Sequence, residues 1–501
     1  MENYTGTCNE INKLASMDIS SSITGLFRKW SGHNPDTIKK LPDTASGRKY
    51  YRLQADNITA MGVYNNNKRE NHAFLYLSAH LKKHNINVPA VYGTDIEKGV
   101  YLIEDLGDNT LYSFIEKTRD NKDFMQQALK IYMRVIDNMP GIQVRASGDM
   151  DFSICYPRPE FDYQSILWDL NYFKYYFLRL SGVTFDEQYL EEDFQSLAKY
   201  LLQSDCNYFL YRDFQSRNIM IKGDELYFID YQGGRRGALQ YDLASLLFEA
   251  KIQLPAGLRQ DILDYYLTVF SGIKSFSSEE FLKYYPSYVL VRLMQAMGAY
   301  GLRGYYERRS FFLRSIPHAV ENMDWLLHNY NIGIRIPALM DCLRQIADSR
   351  EIREFGREGP ELTVSINSFS FIHGSVPQDN TGNGGGFIFD CRAMPNPGIY
   401  PQFSNMTGKD REVIEFLEKE EEVIKYTENV YSIIDASINS YKKRNFANLM
   451  VNFGCTGGRH RSVYFAEQIA KRIKKNFNIN IKIRHRELEK LDYESNDTGS
   501  R

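Results

Sequence analysis

The sequence predicts an α+β domain of two lobes followed by an α/β domain. Three observations predict it. Residues ~48–104 are rich in short apolar strands with one helix between them; helical periodicity dominates ~110–350; strand–helix alternation returns after ~361. The charged, Gly/Pro-bearing stretch Glu354-Phe355-Gly356-Arg357-Glu358-Gly359-Pro360 reads as the linker between the two domains.

The elements follow in order. Tyr50–Leu53 and Ile58–Val63 read as strands, and Asn71–Lys82 as a helix with Phe74, Leu77 and Leu81 at helical spacing. Val88–Tyr92 and Val100–Ile103 read as two further strands. Within the helical lobe, Asn207–Asp230 is strand-rich, with runs at Tyr208–Tyr211, Ile219–Ile221 and Leu226–Ile229. In the second domain, Leu362–Ile366, Gly386–Asp390 and Asn448–Phe453 read as strands, with helices over ~409–443 and ~462–475. Residues 379–385 read as a Gly-rich mobile loop, residues 1–39 as an N-terminal extension, and 491–501 as a polar, disordered tail. The domains are therefore expected at 40–350 and 361–490, with the linker at 351–360.

Composition narrows the function classes. A chain of 501 residues with 43% hydrophobic and 25% charged residues has enough apolar material for packed cores. Lys and Arg number 61 against 63 Asp and Glu, so a net charge of −2 gives the whole chain no nonspecific attraction to nucleic acid or membrane. The six cysteines are scattered without a CxxC pair, against a disulfide framework or a zinc ribbon. No leader pattern opens the sequence and no apolar run approaches ~18 residues, so a cytoplasmic location is expected.

The first chemical constellation is Tyr211-Arg212-Asp213-Phe214-Gln215-Ser216-Arg217-Asn218, followed by Phe228-Ile229-Asp230. Asn218 lies five residues after Asp213, and Asp230 twelve further on, at the end of an apolar run. Phosphoryl transfer needs such a set. One carboxylate orients the attacking hydroxyl, here Asp213; hard oxygen donors, here Asn218 and Asp230, hold Mg2+ against the phosphates of ATP. One acidic residue at a strand end would carry no weight, whereas the triple in its strand context does.

This stretch resembles the aminoglycoside phosphotransferase-like kinases over ~40–350, and within them the cell-wall-recycling kinases that phosphorylate N-acetylmuramate and N-acetylglucosamine at the anomeric carbon. The resemblance implies a protein-kinase-like fold. It rests also on Thr44-Ala45-Ser46-Gly47-Arg48-Lys49-Tyr50-Tyr51-Arg52, Glu104-Asp105-Leu106-Gly107-Asp108 and Tyr241-Asp242-Leu243-Ala244. It implies that Ser46, Gly47 and Arg48 form the nucleotide loop, that Glu104 and Leu106 stand at the hinge, and that Asp242 and Arg217 support the catalytic loop. The sequence departs from the pattern in three places. Tyr211 replaces the common His, Gly47 is the sole glycine of its loop, and Met61-Gly62 occupy the strand that elsewhere carries a phosphate-binding Lys. Lys49, Lys68, Arg48 and Arg52 are the nearby cations. An inactive, nucleotide-sensing reading stays open on these departures.

The second constellation is Gly454-Cys455-Thr456-Gly457-Gly458-Arg459-His460-Arg461-Ser462, between a strand and a helix. Such a turn aims backbone N–H groups and a helix N-terminus at one point, and its basic residues add donors, so a phosphate is the natural guest. Cys455 and Arg461 also have the Cys-x5-Arg spacing of cysteine phosphatases, which leaves a thiolate nucleophile as an alternative, with Asp390 as its acid if near.

The whole of ~361–490 resembles the C-terminal domain of RapZ-type RNase adapters. The matching stretches include Asn367–Phe371, Phe389-Asp390-Cys391-Arg392 to Pro397, Met406–Asp410, Gly454–Val463 and Arg484–Leu488. The resemblance implies a sensor of an amino-sugar phosphate that also binds RNA, with Asp390 and Arg392 beside the Gly454–Ser462 turn. The family's N-terminal nucleotide-binding domain is missing, since no GxxxxGK[ST] occurs. Lys471, Arg472, Lys474, Lys475, Lys482, Arg484 and Arg486 could touch RNA, but a solvated helix face is the preferred reading. The expectation is an ATP- and Mg2+-dependent sugar kinase with a regulatory domain. Its partners would be an amino sugar or sugar phosphate, and a homo-oligomer is compatible with it. A non-catalytic adapter for RNA or protein is the alternative.

Overall fold

The computed structural model describes residues 19–42, 47–273, 276–307, 309–354, 362–379, 386–443 and 446–490. The expected linker residues 355–360, the Gly-rich loop residues 380–385, the tail 491–501 and Ser46 lie outside them.

The first lobe is an antiparallel sheet in the order β1-β2-β3-β5-β4. Its strands are β1 (Thr37–Lys40), β2 (Lys49–Ala55), β3 (Ile58–Tyr64), β4 (Val91–Asp95) and β5 (Val100–Glu104). Alternation along β2 turns Tyr51, Leu53 and Ala55 to one face. There they are buried with Ile23 and Phe27 from a helix over 19–31. The opposite face carries Tyr50 and Arg52. Residues 19–40 thus contribute a helix and a strand to this lobe, although the sequence reading set 1–39 apart. The signal was present: Ile23, Phe27 and Trp30 follow helical spacing. The fourth strand begins at Val91 rather than Val88, since Pro89 has no N–H for a ladder.

Between β3 and β4 runs the helix Lys68–Lys83, started by Asn67, whose side chain accepts from the Glu70 N–H at 3.1 Å. The second lobe is helical around two small antiparallel pairs. One joins β6 (Tyr208–Leu210) to β9 (Arg235–Gly237); the other joins β7 (Ile219–Lys222) to β8 (Glu225–Phe228). These short pairs hold the polar loop 211–218 and the segment at Asp230.

The C-terminal sheet is wholly parallel, in the order β11-β12-β10-β13: β10 (Thr363–Ser370), β11 (Gly386–Asp390), β12 (Asn448–Cys455) and β13 (Asn480–His485). Leu362, Val364 and Ile366 of the β10 region, Leu449, Val451 and Phe453 of β12, and Phe465, Ile469 and Ile473 of the helix Arg461–Asn476 share one core. The expected single helix over ~409–443 is two, Arg411–Leu417 and Glu421–Lys443. Glu421 and Glu422 favour a new helix start because acidic groups suit a helix N-terminus. Leaving β10, the chain crosses β12 to reach β11. Leaving β12, it crosses β10 in the opposite direction to reach β13. That reversal opens a crevice at the C-terminal ends of β10 and β12, the usual ligand position in such sheets.

Packing divides the chain into two compact units that interleave in sequence. One comprises Met1–Tyr172, Thr184–Ala296 and Glu321–Gln345; the other comprises Phe173–Val183, Met297–Val320 and Ile346–Arg501. A single cut at 351–360 does not describe this division. Within the second unit, Gly301 lies so close to the Tyr176 backbone that a Cβ would overlap its carbonyl, and Arg309 forms a β-bridge with Phe446. These contacts tie segments that sequence order separates. No helix among the described residues is long and apolar enough to cross a membrane.

Candidate active site and anion-binding turn

In the first unit, the loop 211–218 joins β6 to β7, and Asp230 follows β8 by two residues. The Ile229 N–H donates to the Asn218 carbonyl at 3.0 Å, which ties the two segments together. Asn218 Nδ2 donates to the Asp213 carbonyl at 2.8 Å and to Asp230 Oδ2 at 3.4 Å. Gln232 Nε2 donates to Asp230 Oδ1 at 2.7 Å, while the buried Gln232 Oε1 has no hydrogen-bond partner among the described residues. The structure therefore ties Asn218 to the Asp213 backbone and to the Asp230 carboxylate, and adds Gln232, to which the sequence reading gave no role.

A buried scaffold holds these acids. Asp242 is fully buried and accepts from the N–H groups of Tyr211 at 2.8 Å and Arg212 at 3.0 Å, and from Gln143 Nε2 at 3.1 Å. Burial pushes its carboxyl up to about 7, against the pull of those donors. Asp242 thus braces the loop through two backbone N–H groups. Arg212 has φ 84° and Asp230 φ 70°, left-handed conformations that cost non-glycine residues about 1–3 kcal/mol each. Arg212 is held there by a bidentate pair with Asp169 at 2.6 and 2.7 Å and by the Tyr241 hydroxyl at 2.7 Å. Burial opposes the charge on Arg212, but Asp169 and then Tyr241 outweigh it and raise its pKa. Tyr211, standing where kinases carry His, donates its hydroxyl to the Ile229 carbonyl at 2.6 Å and so links the loop to the Asp230 segment. Ser216 donates through its N–H and hydroxyl to Glu249 at 3.0 and 2.7 Å.

Arg217, expected to support this loop, is exposed and forms no hydrogen bond or ion pair among the described residues; Asp242 and Asp169 provide the support instead. Gly47 is exposed, and Arg48 is buried in an ion pair with Glu70 at 3.1 Å. At the hinge, Glu104 is engaged by Lys222 at 2.6 Å and by the Ala90 N–H at 3.2 Å, and Leu106 is buried. These contacts engage both oxygens of the Glu104 carboxylate.

In the second unit, the turn after β12 lies at the crevice of the parallel sheet. Thr456 and Gly457 are exposed at its tip, and a Cβ on Gly457 would meet nothing within 4 Å. Gly458 has φ +69°, and a Cβ there would crowd Glu487 at 2.5 Å and the Ser370 backbone N at 3.0 Å, so glycine is required. Ser370 Oγ donates to the Thr456 carbonyl at 2.6 Å and pins the turn to β10. Arg461 is buried, and its Nη1 donates to the carbonyls of Arg392 at 2.8 Å and Met394 at 2.9 Å, and Nη2 to Thr456 Oγ1 at 3.2 Å. His460 faces the Phe403 carbonyl at 3.0 Å, and burial lowers its pKa. Asp390 and Arg392 pair with each other at 2.6 Å on the exposed end of β11, which lowers the Asp390 pKa. Arg459 is half-buried, with Nε unpartnered among the described residues.

Cys455 is buried, and its sulfur accepts from the Gly458 N–H at 3.2 Å and lies 3.1 Å from the Ser462 hydroxyl. A phosphatase needs the motif arginine free to hold phosphate, whereas Arg461 is engaged by carbonyls. Of the basic residues set aside for RNA, Arg472 pairs with Asp435 at 2.7 Å, Arg484 with Glu489 at 2.8 Å, and Arg486 donates to the Ser375 carbonyl at 2.7 Å.

The fold is therefore protein-kinase-like in the first domain and α/β in the second, as the sequence predicted. Residues 37–276 match the model of the Phosphotransferase enzyme family, and residues 362–489 match that of the RapZ C-terminal domain. The two matches follow one another along the chain without overlap. A nucleotide-binding protein of Thermotoga neapolitana is 39% identical over 130 residues, 26% of this chain and 44% of that protein. One of Hahella chejuensis is 35% identical over 144 residues, 29% of this chain and 48% of that protein. The chain spans about half the length of the curated relatives it matches. Among solved structures, a choline kinase from Cryptosporidium parvum aligns over 65% of this chain and 99% of its own, with TM-score 0.43 and 14% identity. A choline/ethanolamine kinase family protein from Mesorhizobium loti aligns over 67% and 100%, with TM-score 0.42 and 11% identity.

Proposed function

We propose that the first unit transfers the γ-phosphoryl group of ATP to a hydroxyl of a small molecule, an amino sugar of cell-wall recycling. The observation that carries this reading is the convergence of Asp213, Asn218 and Asp230 on a loop braced from beneath by Asp242. Asp213 is half-buried and accepts the proton of the attacking hydroxyl as the new O–P bond forms and the bond to ADP breaks. The donor set at Asn218 and Asp230, with the orphaned Gln232 oxygen beside it, consists of hard oxygens that suit Mg2+. When bound there, Mg2+ supplies positive charge that offsets the charge of the phosphates. Gly47 and Arg48 serve the phosphate side of the nucleotide, and the hinge backbone at Glu104–Leu106 serves its base. The amino-sugar assignment follows from the sequence resemblance and from the attached domain, whose turn is built for an anion.

The second unit, in this reading, binds a sugar phosphate at Thr456–Gly458 and Arg459 and regulates the first. Incubation of the full chain with ATP, Mg2+ and a panel of sugars, followed by phosphorus NMR, tests the proposal. A phosphorylated amino sugar that disappears in Asp213→Asn supports it. No product with any sugar, or product unchanged in that variant, refutes it.

A further inference from the structure

The strand that in kinases carries a phosphate-gripping lysine has Met61 and Gly62 in this chain. Four cations lie near it in sequence, and the structure separates them. Arg52 is held by Asp105 at 2.8 Å and Asp108 at 2.9 Å. Lys68 is exposed and pairs with Glu97 at 2.6 Å. Lys49 lies over the Tyr64 ring at 5.8 Å.

Arg48 differs from all three. It is 3% exposed, its Nη2 lies 3.1 Å from Glu70 Oε1, and its guanidinium sits over the Phe74 ring at 5.8 Å. Nε and Nη2 have no hydrogen-bond acceptor among the described residues, so Glu70 offers charge without satisfying these N–H groups. A buried guanidinium left in this condition is costly unless something completes its hydrogen bonds. Its surroundings point to the metal-side carboxylate. Phe74 stacks on Tyr231 at 5.4 Å, the residue after Asp230. Tyr50 lies near enough to both Arg48 and Asp230 for their charges to act on its phenol. Glu70 is fixed in turn, since it accepts from Asn65 Nδ2 at 2.8 Å and its N–H donates to Asn67 Oδ1 at 3.1 Å. Burial opposes the charge on Arg48, but Tyr101, Tyr50 and Glu70 outweigh it and raise its pKa.

We infer that Arg48, positioned by Glu70, takes the place of the strand lysine as the cation that grips the nucleotide phosphates. The inference rests on the phosphotransferase reading and supplies the phosphate grip that Met61 cannot provide. A guanidinium fork suits this task because it can meet two phosphate oxygens at once.

The test is equilibrium binding of ATP with Mg2+, and separately of adenosine, to the full chain and its variants, alongside ATP KM in the sugar-panel assay. Arg48→Met should weaken ATP at least about tenfold, the loss of a charge-assisted contact, and leave adenosine within about twofold. Met61 is the cross-strand partner of Arg52, on the face shared with Tyr50, so Arg48→Met with Met61→Lys should recover part of the ATP affinity. Should the Met variant fail to fold, Glu70→Gln provides the same reading: selective loss for ATP supports the inference. Equal losses for ATP and adenosine, or none, overturn it and reduce Arg48 to a structural role. If the wild-type chain binds neither ligand, the phosphotransferase reading falls with it. If the wild type transfers phosphate and Arg48→Met keeps its ATP KM, this inference alone falls.

Discussion

The loop 211–218 of the first unit and the turn 454–462 of the second are both polar turns that follow a buried strand, yet they present opposite chemistry. The first offers side-chain oxygens at Asp213, Asn218 and Asp230, suited to a cation and a hydroxyl proton. The second offers the backbone at an exposed Gly457 and the hydroxyl of Thr456, suited to an anion. Each contains an arginine used as a strut, although the motif of the second suggests its arginine as a ligand. Arg212 is bound to Asp169, and Arg461 to the carbonyls of Arg392 and Met394. An arginine inside a motif therefore reveals its role only through its partners. A guanidinium whose two terminal nitrogens are engaged, as in Arg212 and Arg461, fixes a loop, whereas Arg48 has both Nε and Nη2 unpartnered among the described residues.

The comparison can be broken at its working groups or at its struts. The largest effect is expected from Asp213→Asn, which removes the proposed proton acceptor but no strut. Phosphoryl transfer should fall by about 10^2–10^4 while the melting temperature stays near wild type. A variant that melts much earlier would make Asp213 part of the scaffold. Next comes Asp242→Ala, which strands the buried N–H groups of Tyr211 and Arg212 at about 1–3 kcal/mol each. Chemical denaturation should show a loss of about 3 kcal/mol or more, and an unchanged midpoint would remove Asp242 from the brace.

Asp242 also gives a pH signature. Its carboxyl rises from an ordinary value of 3.8 to about 7 on folding. Between those values the folded protein holds the proton and the unfolded chain does not. Its contribution to stability is therefore complete below about pH 4 and is lost as pH rises through about 7. Asp242→Asn cannot titrate, so its melting temperature relative to wild type should climb from pH 4 to 7; a flat difference would contradict the buried, proton-holding state.

In the second unit, Gly458→Ala forces a side chain into a left-handed turn against Glu487, at a cost of about 1–3 kcal/mol. Sugar-phosphate binding, measured by calorimetry, should weaken with it; affinity equal to wild type would detach the turn from the proposed anion site. The smallest effect is expected from Cys455→Ser, which keeps a small buried acceptor for the Gly458 N–H. Sugar-phosphate affinity should change less than about threefold, under 1 kcal/mol, and any aryl-phosphate hydrolysis should survive. Hydrolysis present in the wild type and abolished in this variant would restore the cysteine phosphatase alternative.

Much of the scaffold was legible because it is local. Apolar runs at Ile58–Val63, Leu226–Ile229 and Asn448–Phe453 fall where β3, β8 and β12 form. The strands that escaped notice have weak patterns. β9 is three residues, Arg235–Gly237, and β13 is an edge strand whose Lys482 and Arg484 face solvent. β9 is too short to show a pattern, whereas Ile479, Ile481 and Ile483 do alternate with polar residues into β13, a signal blunted by its Lys and Arg as on an edge strand.

The sequence by itself determined which groups can do chemistry. The spacing of Asp213, Asn218 and Asp230, and the glycines between β12 and its helix, are short-range features that their strands and turns convert directly into geometry. Only the tertiary structure decided which neighbouring residues are struts and which are free. Asp169 reaches Arg212 across 43 residues, and Gln143 reaches Asp242 across 99, distances over which no periodicity operates. The same holds for Arg48, one of four cations alike in sequence. Near-complete burial with two unpartnered nitrogens, against one in Arg52, sets it apart, and these are properties of its packed surroundings rather than of its place in the chain.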